Sequence, residues 1–124
     1  MNRTNKILVV DDEASLVELC EFVFKADGHE VRGAFNGPQA LNMITEEMPD
    51  LILLDVMMPG LTGIEVCHQI RAQYPAQRPT ILMYTADDSD ETRANSMAAG
   101  ADDFIPKETP VFELSAKVNT YLSS

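Results

Sequence analysis

Five side chains that could take part in catalysis follow short apolar segments of this 124-residue chain. Asp11 and Asp12 come after the first such segment, and Asp55, Thr85 and Lys107 come after three later ones. Each has an ordinary structural explanation by itself, because aspartates cap helices or form turns, threonines favour strands and lysines are mostly solvated. Their shared position at the ends of apolar segments is what indicates a site.

These side chains suit chemistry on a phosphoryl group. Three carboxylates brought together would repel one another and raise the pKa of at least one, unless a cation is present. Mg²⁺ prefers oxygen ligands, keeps several waters and bridges to phosphate. Lys107 would add a positive charge for a phosphoryl oxygen, and Thr85 would add a hydroxyl donor. A carboxylate in these surroundings could attack phosphorus and form an acyl phosphate.

The apolar segments read as strands that alternate five times with helical patterns. The predicted strands are residues 7–10, 30–35, 51–54, 80–84 and 104–105, and the second is polar enough to be an edge strand. Such alternation predicts an α/β protein with a doubly wound parallel sheet and helices on both faces. Ligands bind beyond the carboxyl ends of such strands, so all the candidate residues should meet at one edge.

Local signals place the helices between these strands. The first helix is expected over about residues 14–26, with Gly28 as its stop, and the fourth over about 89–99 with little apolar bulk. Thr62 and Glu65 form a capping box before the third helix. The apolar positions that recur at helical spacing in the first helix are Leu16, Leu19, Cys20 and Val23, and those of the fourth are mainly Ala94, Met97 and Ala98.

Composition narrows the class of protein. The chain is 45% apolar and 23% charged, as expected of one globular domain. The sequence shows neither a signal peptide nor a membrane-spanning segment, so a cytoplasmic location is expected. A net charge of −11 argues against direct binding to nucleic acid or to an anionic membrane. Cys20 and Cys67 are expected to be reduced core residues rather than a disulfide or zinc site.

Four sequence motifs resemble those of receiver domains of bacterial response regulators, in particular the chemotaxis-regulator-like ones. The resemblance runs from residue 7 to about 122 and implies a single receiver domain over 1–124. It implies a flavodoxin-like fold with strand order 2-1-3-4-5. The motifs are ILVVDDE at 7–13, LLDVMMPG at 53–60, Thr85-Ala86, and GADD at 100–103 leading to Lys107.

The resemblance also implies a ligand set and a phosphoacceptor. Asp55 would accept a phosphoryl group from a sensor histidine kinase or a phosphotransfer protein. Mg²⁺ would be held directly by Asp12, by Asp55 and by the backbone carbonyl of Met57, and through water by Asp11. Such a protein catalyses its own phosphorylation and dephosphorylation and is not a conventional turnover enzyme.

A switch is implied by the same resemblance. Lys107 would contact the phosphoryl group, Thr85 would move toward it, and Phe104 would turn inward in concert. An ordinary core aromatic is an equally good interpretation of Phe104 from the sequence. Met57 and Asp87 would flank the phosphoryl group, and an anionic Asp87 at the rim would alter water access and phosphate lifetime unless it is simply a solvated loop acid.

The expected output surface is the fourth helix, fifth strand and fifth helix. Its partner would be a downstream effector protein or a covalently linked output domain, and a phosphorylation-dependent homodimer is a further expectation. Whether the chain stands alone or is part of a longer protein is open.

One position departs from the family pattern, in which proline often follows the lysine through a cis bond. Here Glu108 follows Lys107, and a cis bond without proline costs about 2.5–4 kcal/mol, so the reach of Lys107 is open. The alternative function is therefore a degenerate receiver that binds partners without phosphorylation. A phosphatase with an Asp-x-Asp nucleophile and a flavin or dinucleotide site both fit less well, because adjacent acids follow the first strand.

Overall fold

The computed structural model describes residues 4–123, which contain five strands and five helices in strict alternation. The strands are β1 (Lys6–Val10), β2 (Glu30–Ala34), β3 (Leu51–Leu54), β4 (Thr80–Thr85) and β5 (Asp103–Pro106). The helices are α1 (Ala14–Ala26), α2 (Gly37–Glu46), α3 (Gly63–Gln73), α4 (Asp90–Ala98) and α5 (Val111–Leu122).

All five strands are parallel and lie in the order β2-β1-β3-β4-β5, as predicted. The apolar β3 is central, and the more polar β2 is an edge strand. β2 ends at Ala34, one residue earlier than predicted. The backbone N–H of the next residue, Phe35, donates to the Gln39 side chain at 2.8 Å. The predicted capping box of Thr62 and Glu65 is present at the start of α3.

Two apolar clusters cover the two faces of the sheet. One packs α1 and α5 on side chains such as Val9, Leu53 and Leu82, and the other packs α2 and α3 on the alternate side chains of the same strands. Each large side chain that is fully buried contributes about 1.5–3 kcal/mol to folding. The largest of them are Phe24, Ile7, Leu8, Ile44, Leu51, Ile52, Leu53, Leu54, Ile70, Ile81, Leu82 and Met83.

The buried face of α1 is turned relative to the prediction. Its buried residues are Val17, Cys20 and Phe24, whereas Leu19 is exposed. The sequence offers two overlapping apolar stripes, and the stripe that carries the larger Phe24 is the one in the core. Cys20 and Cys67 are buried and free, as predicted, and burial raises the pKa of each thiol to about 11.

Helix α4 is weakly anchored. The residues that gave it an apolar pattern, Ala94, Met97 and Ala98, are exposed, and its one buried residue is Ser96. Alanine has little apolar surface to bury, so its spacing did not determine which side of the helix faces the core.

No helix within residues 4–123 has the length and apolar character needed to cross a membrane.

Arg71 ties α3 to the loops that flank β4 and β5. Its guanidinium donates to the carbonyl of Pro79 at 2.7 Å, to the carbonyl of Gly100 at 2.9 Å, and to the carboxylate of Asp102 at 2.9 Å. The same Asp102 oxygen accepts the backbone N–H of Ile81 at 2.9 Å. One side chain therefore fixes to α3 both the segment before β4 and the segment before β5.

Replacing Arg71 by alanine is expected to lower the free energy of unfolding by about 2 kcal/mol, because two carbonyls and a partly buried carboxylate lose a charged donor. Chemical denaturation measures this loss. Arg71→Lys should recover little of it, since a lysine cannot reproduce the planar fork. The matched control is Arg78→Ala, an exposed arginine of the next loop, which should change stability by less than about 0.5 kcal/mol. Equal losses for the two alanine variants would contradict this role of Arg71.

Candidate functional site

The carboxyl edge of the sheet brings Asp11 and Asp55 side by side. Val10 and Leu54 are register partners in β1 and β3, so the residues that follow them are neighbours. The backbone N–H of Asp55 continues the ladder by donating to the carbonyl of Val10 at 2.9 Å. Both aspartates are only 2% exposed. The sheet therefore holds two buried carboxylates at adjacent strand ends.

Asp12 completes a group of three carboxylates. One oxygen each of Asp11, Asp12 and Asp55 lies within 4.8 Å of the others. Asp12 is exposed, and the N-cap of α1 is Glu13, so capping does not explain the position of Asp12. An all-oxygen set with two buried members and one open to water fits Mg²⁺, which binds few carboxylates and keeps several waters. These three residues could hold the metal.

Lys107 reaches these carboxylates in spite of the Glu108 that follows it. Its ammonium lies 2.8 Å from Asp11 Oδ2, 3.3 Å from Asp55 Oδ2 and 3.3 Å from Glu13 Oε1. Its backbone N–H donates to the carbonyl of Thr85 at 2.9 Å, and no peptide bond within residues 4–123 is cis. Burial alone would lower the pKa of Lys107, but the hydrogen bond to Asp11 and the charge of Asp55 raise it above its ordinary value.

The electrostatics of Asp55 follow from its surroundings. Burial raises its pKa, and the neighbouring charge of Asp11 raises it further. Lys107 and the backbone N–H of Met57, which donates to Asp55 Oδ1 at 3.1 Å, oppose that rise. The repulsion predicted from the sequence therefore acts on Asp55, and added positive charge would favour its ionised form.

Thr85 and Asp87 connect the site to α4. Thr85 is the last residue of β4 and is fully buried, and its hydroxyl accepts the backbone N–H of Asp87 at 3.2 Å. The carboxylate of Asp87 accepts the Thr92 hydroxyl at 2.6 Å and the backbone N–H of Ser89 at 3.1 Å, and these bonds lower its pKa. Asp87 thus holds the first turn of α4.

Phe104 is buried, whereas Met57 is exposed. Phe104 is 3% exposed in the apolar cluster that packs α2 and α3, with the guanidinium of Arg93 from α4 4.7 Å from its ring centroid. Burial fits both interpretations of Phe104, so its switching role stays a prediction. The Met57 side chain is 59% exposed and lines an apolar cleft beside Asp12. The metal-binding role of its carbonyl also stays a prediction.

Sequence reasoning missed two residues of the site. Glu13 stands in the first motif, but no role was predicted for it, although it contacts Lys107. Gly63, the first residue of α3, lies so close to β3 that an added Cβ would overlap the carbonyl oxygen of Asp55. The sequence signal for this close approach is the glycine inside the capping box. An isolated helix would tolerate a side chain at that position, so a glycine there indicates a neighbouring backbone.

Comparison with known proteins gives one family. Residues 7–119 match the family described as response regulator receiver domain. The crystal structure of the receiver domain of RstA from Klebsiella pneumoniae, activated with BeF3, is 33% identical with a TM-score of 0.89, covering 97% of this chain and 100% of that one. Chemotaxis protein CheY4 from Vibrio cholerae is 29% identical with a TM-score of 0.89, covering 96% and 99%.

A longer protein also matches. NtrX from Brucella abortus, in complex with ADP, is 30% identical with a TM-score of 0.85, and the match covers 98% of this chain but 26% of that one. The same fold thus occurs both as a chain of this length and as part of a longer chain.

Substituting Gly63 by alanine is expected to destabilise the protein by about 1–3 kcal/mol, because the new methyl group must push the backbone of Asp55 away. Chemical denaturation gives the stability, and amide chemical shifts of Asp55 and Val56 report the displacement. The matched control is Gly37→Ala, where the nearest atoms to an added Cβ belong to the side chains of Leu61 and Val66, at 2.9 Å, and not to the backbone. An unchanged amide shift of Asp55 in Gly63→Ala would contradict the close approach of Gly63 to the Asp55 backbone.

Proposed function

The chain belongs to the family of response regulator receiver domains, and on that basis we propose that Asp55 is its phosphoacceptor. The donor is the phosphohistidine of a sensor histidine kinase or of a phosphotransfer protein, and the reaction depends on Mg²⁺. Receiver domains interact with such donors and with output domains. The observation that carries the proposal is the buried Asp55 carboxylate, 3.3 Å from the Lys107 ammonium and grouped with Asp11 and Asp12.

Each residue has a part in the transfer. An oxygen of Asp55 forms the new bond to phosphorus while the bond to the donor histidine nitrogen breaks, and the product is an aspartyl phosphate. Lys107 neutralises charge on the phosphoryl oxygens, and the backbone N–H of Met57 orients the Asp55 carboxylate. When bound by Asp11, Asp12 and Asp55, Mg²⁺ supplies further positive charge for the transferring group.

Asp55 is regenerated by hydrolysis, so the protein promotes its own phosphorylation and dephosphorylation rather than turning over a separate substrate. The Thr85 hydroxyl is the group that would reach the phosphoryl oxygens, and Phe104, which is already buried, would move in concert with it. The resulting change would be read on the surface of α4, β5 and α5 by an effector protein, a linked output domain or a second copy of the chain. We place this signalling in the cytoplasm.

A degenerate receiver that binds partners without phosphorylation is the second candidate. Glu108, which stands where relatives often have proline, is the feature that favours it. The contacts of Lys107 with Asp11 and Asp55 favour the phosphoacceptor instead, because the lysine lies where a phosphoryl group on Asp55 would need it.

Incubation with acetyl phosphate and Mg²⁺ is expected to add one phosphoryl group to the wild-type protein, measured as intact mass. Asp55→Asn should gain none, because the amide cannot act as the nucleophile, and EDTA should abolish the gain in the wild type. Asp88→Asn is the matched control, since it removes an exposed acid outside the site, and it should be phosphorylated like the wild type. Absence of any gain in the wild type would favour the degenerate receiver.

Asp87 is proposed to tune the lifetime of the aspartyl phosphate. Replacing it by alanine removes an anionic side chain at the rim and loosens the first turn of α4, so water should reach the phosphoryl group more easily and hydrolysis should be faster. The decay of the phosphorylated mass after removal of the donor gives the rate constant. Asp88→Ala serves as the control for loss of a neighbouring acid, and an unchanged rate in Asp87→Ala would reject the idea.

A further inference from the structure

The ammonium of Lys107 is shared among three carboxylates that differ in one respect. Two of them, Asp11 and Asp55, also belong to the group that could hold Mg²⁺. The third, Glu13, lies outside that group and contacts Lys107 at 3.3 Å. Lys107 and a bound Mg²⁺ would therefore share the carboxylates of Asp11 and Asp55, whereas Glu13 would contact Lys107 alone.

The position of Glu13 would let its carboxylate remain in contact with Lys107 while Asp11 and Asp55 bind a metal. Its backbone N–H donates to Asp11 Oδ1 at 2.9 Å, which fixes its main chain beside the site at the N-cap of α1. Its side chain is 64% exposed, so the carboxylate can follow the lysine without leaving a buried pocket. A fixed backbone and an exposed carboxylate allow Glu13 to hold Lys107 at the mouth of the site.

We propose that Glu13 is a positioning residue for Lys107, and this inference rests on the function proposed above. When Asp11 and Asp55 are engaged by Mg²⁺, Glu13 takes over the ammonium and keeps it at the edge where the phosphoryl group arrives. Two cations that share two carboxylates repel each other, and a third carboxylate lowers the cost of their coexistence. In this proposal the contact between Glu13 and Lys107 is stronger in the metal-bound protein than in the metal-free protein. That difference is what makes Glu13 favour Mg²⁺ binding.

The first test is the affinity for Mg²⁺, measured by isothermal titration calorimetry without any phosphodonor. Glu13→Gln is expected to weaken binding by about twofold to fivefold, the range of an exposed ion pair. Glu108→Gln is the matched control, because it removes one negative charge from the exposed residue adjacent to Lys107. A general effect of charge would weaken binding equally in both variants, and that result would overturn the proposal.

A double-mutant cycle separates an action through Lys107 from a direct attraction between Glu13 and the metal. Lys107→Gln removes the competing ammonium, and Glu13→Gln is then added to it. In this background the effect of Glu13→Gln should fall to that of Glu108→Gln. An equal loss of Mg²⁺ affinity with and without Lys107 would show that Glu13 does not act through the lysine. Thermal unfolding of each variant without Mg²⁺ checks that all remain folded.

Failure of this inference can be distinguished from failure of the proposed function. If the wild type is phosphorylated at Asp55 but the cycle shows no coupling, the role of Glu13 alone is rejected. If the wild type binds Mg²⁺ but takes no phosphoryl group, the phosphoacceptor function is rejected whatever Glu13 does, and the proposal for Glu13 falls with it. Coupling together with a phosphorylated Asp55 supports both.

Discussion

The repulsion between the carboxylates of Asp11 and Asp55 is the constraint on which this site depends. Parallel pairing of β1 with β3 sets the two side chains next to each other, and the packing of helices on both faces keeps them from water. The cost of two adjacent buried negative charges must be offset by positive charge at the same place. Lys107 provides it here, and the same demand explains why the site suits a divalent cation.

The rest of the fold supplies what this electrostatic arrangement requires. Strands position the two buried aspartates more rigidly than loops could, and the glycine at the start of α3 allows that helix to approach the Asp55 backbone. On the other side, Arg71 secures the loops before β4 and before β5, so the strand that leads to Lys107 is firmly placed. Helix α4, between those loops, has a single buried residue and is the least anchored element.

Much of this could be predicted from the sequence, because strand ends, turns and caps depend on neighbouring residues. The edge position of β2, the capping box of α3 and the gathering of Asp11, Asp12, Asp55 and Lys107 were of this kind. The light anchoring of α4 was also predictable from its small residues. The buried face of α1 and the identity of the buried residue of α4 were not, since they depend on which side of each helix the other elements cover. The contact of Glu13 with Lys107 arises only when distant segments meet, so no local pattern revealed it, whereas the glycine inside the capping box was a local signal for the close approach of Gly63 to Asp55.

Thr85 accepts two hydrogen bonds, one from Lys107 at the site and one from Asp87 before α4. The carbonyl of Thr85 accepts the backbone N–H of Lys107, so the lysine is placed by the pairing of β4 with β5 and not by the peptide bond to Glu108. The hydroxyl of Thr85 accepts the backbone N–H of Asp87, whose carboxylate holds the first turn of α4. Rotation of the hydroxyl would therefore release Asp87 while the main chain keeps Lys107 in place. The backbone of Lys107 and the first turn of α4 are therefore held by different atoms of Thr85, the carbonyl oxygen and the hydroxyl.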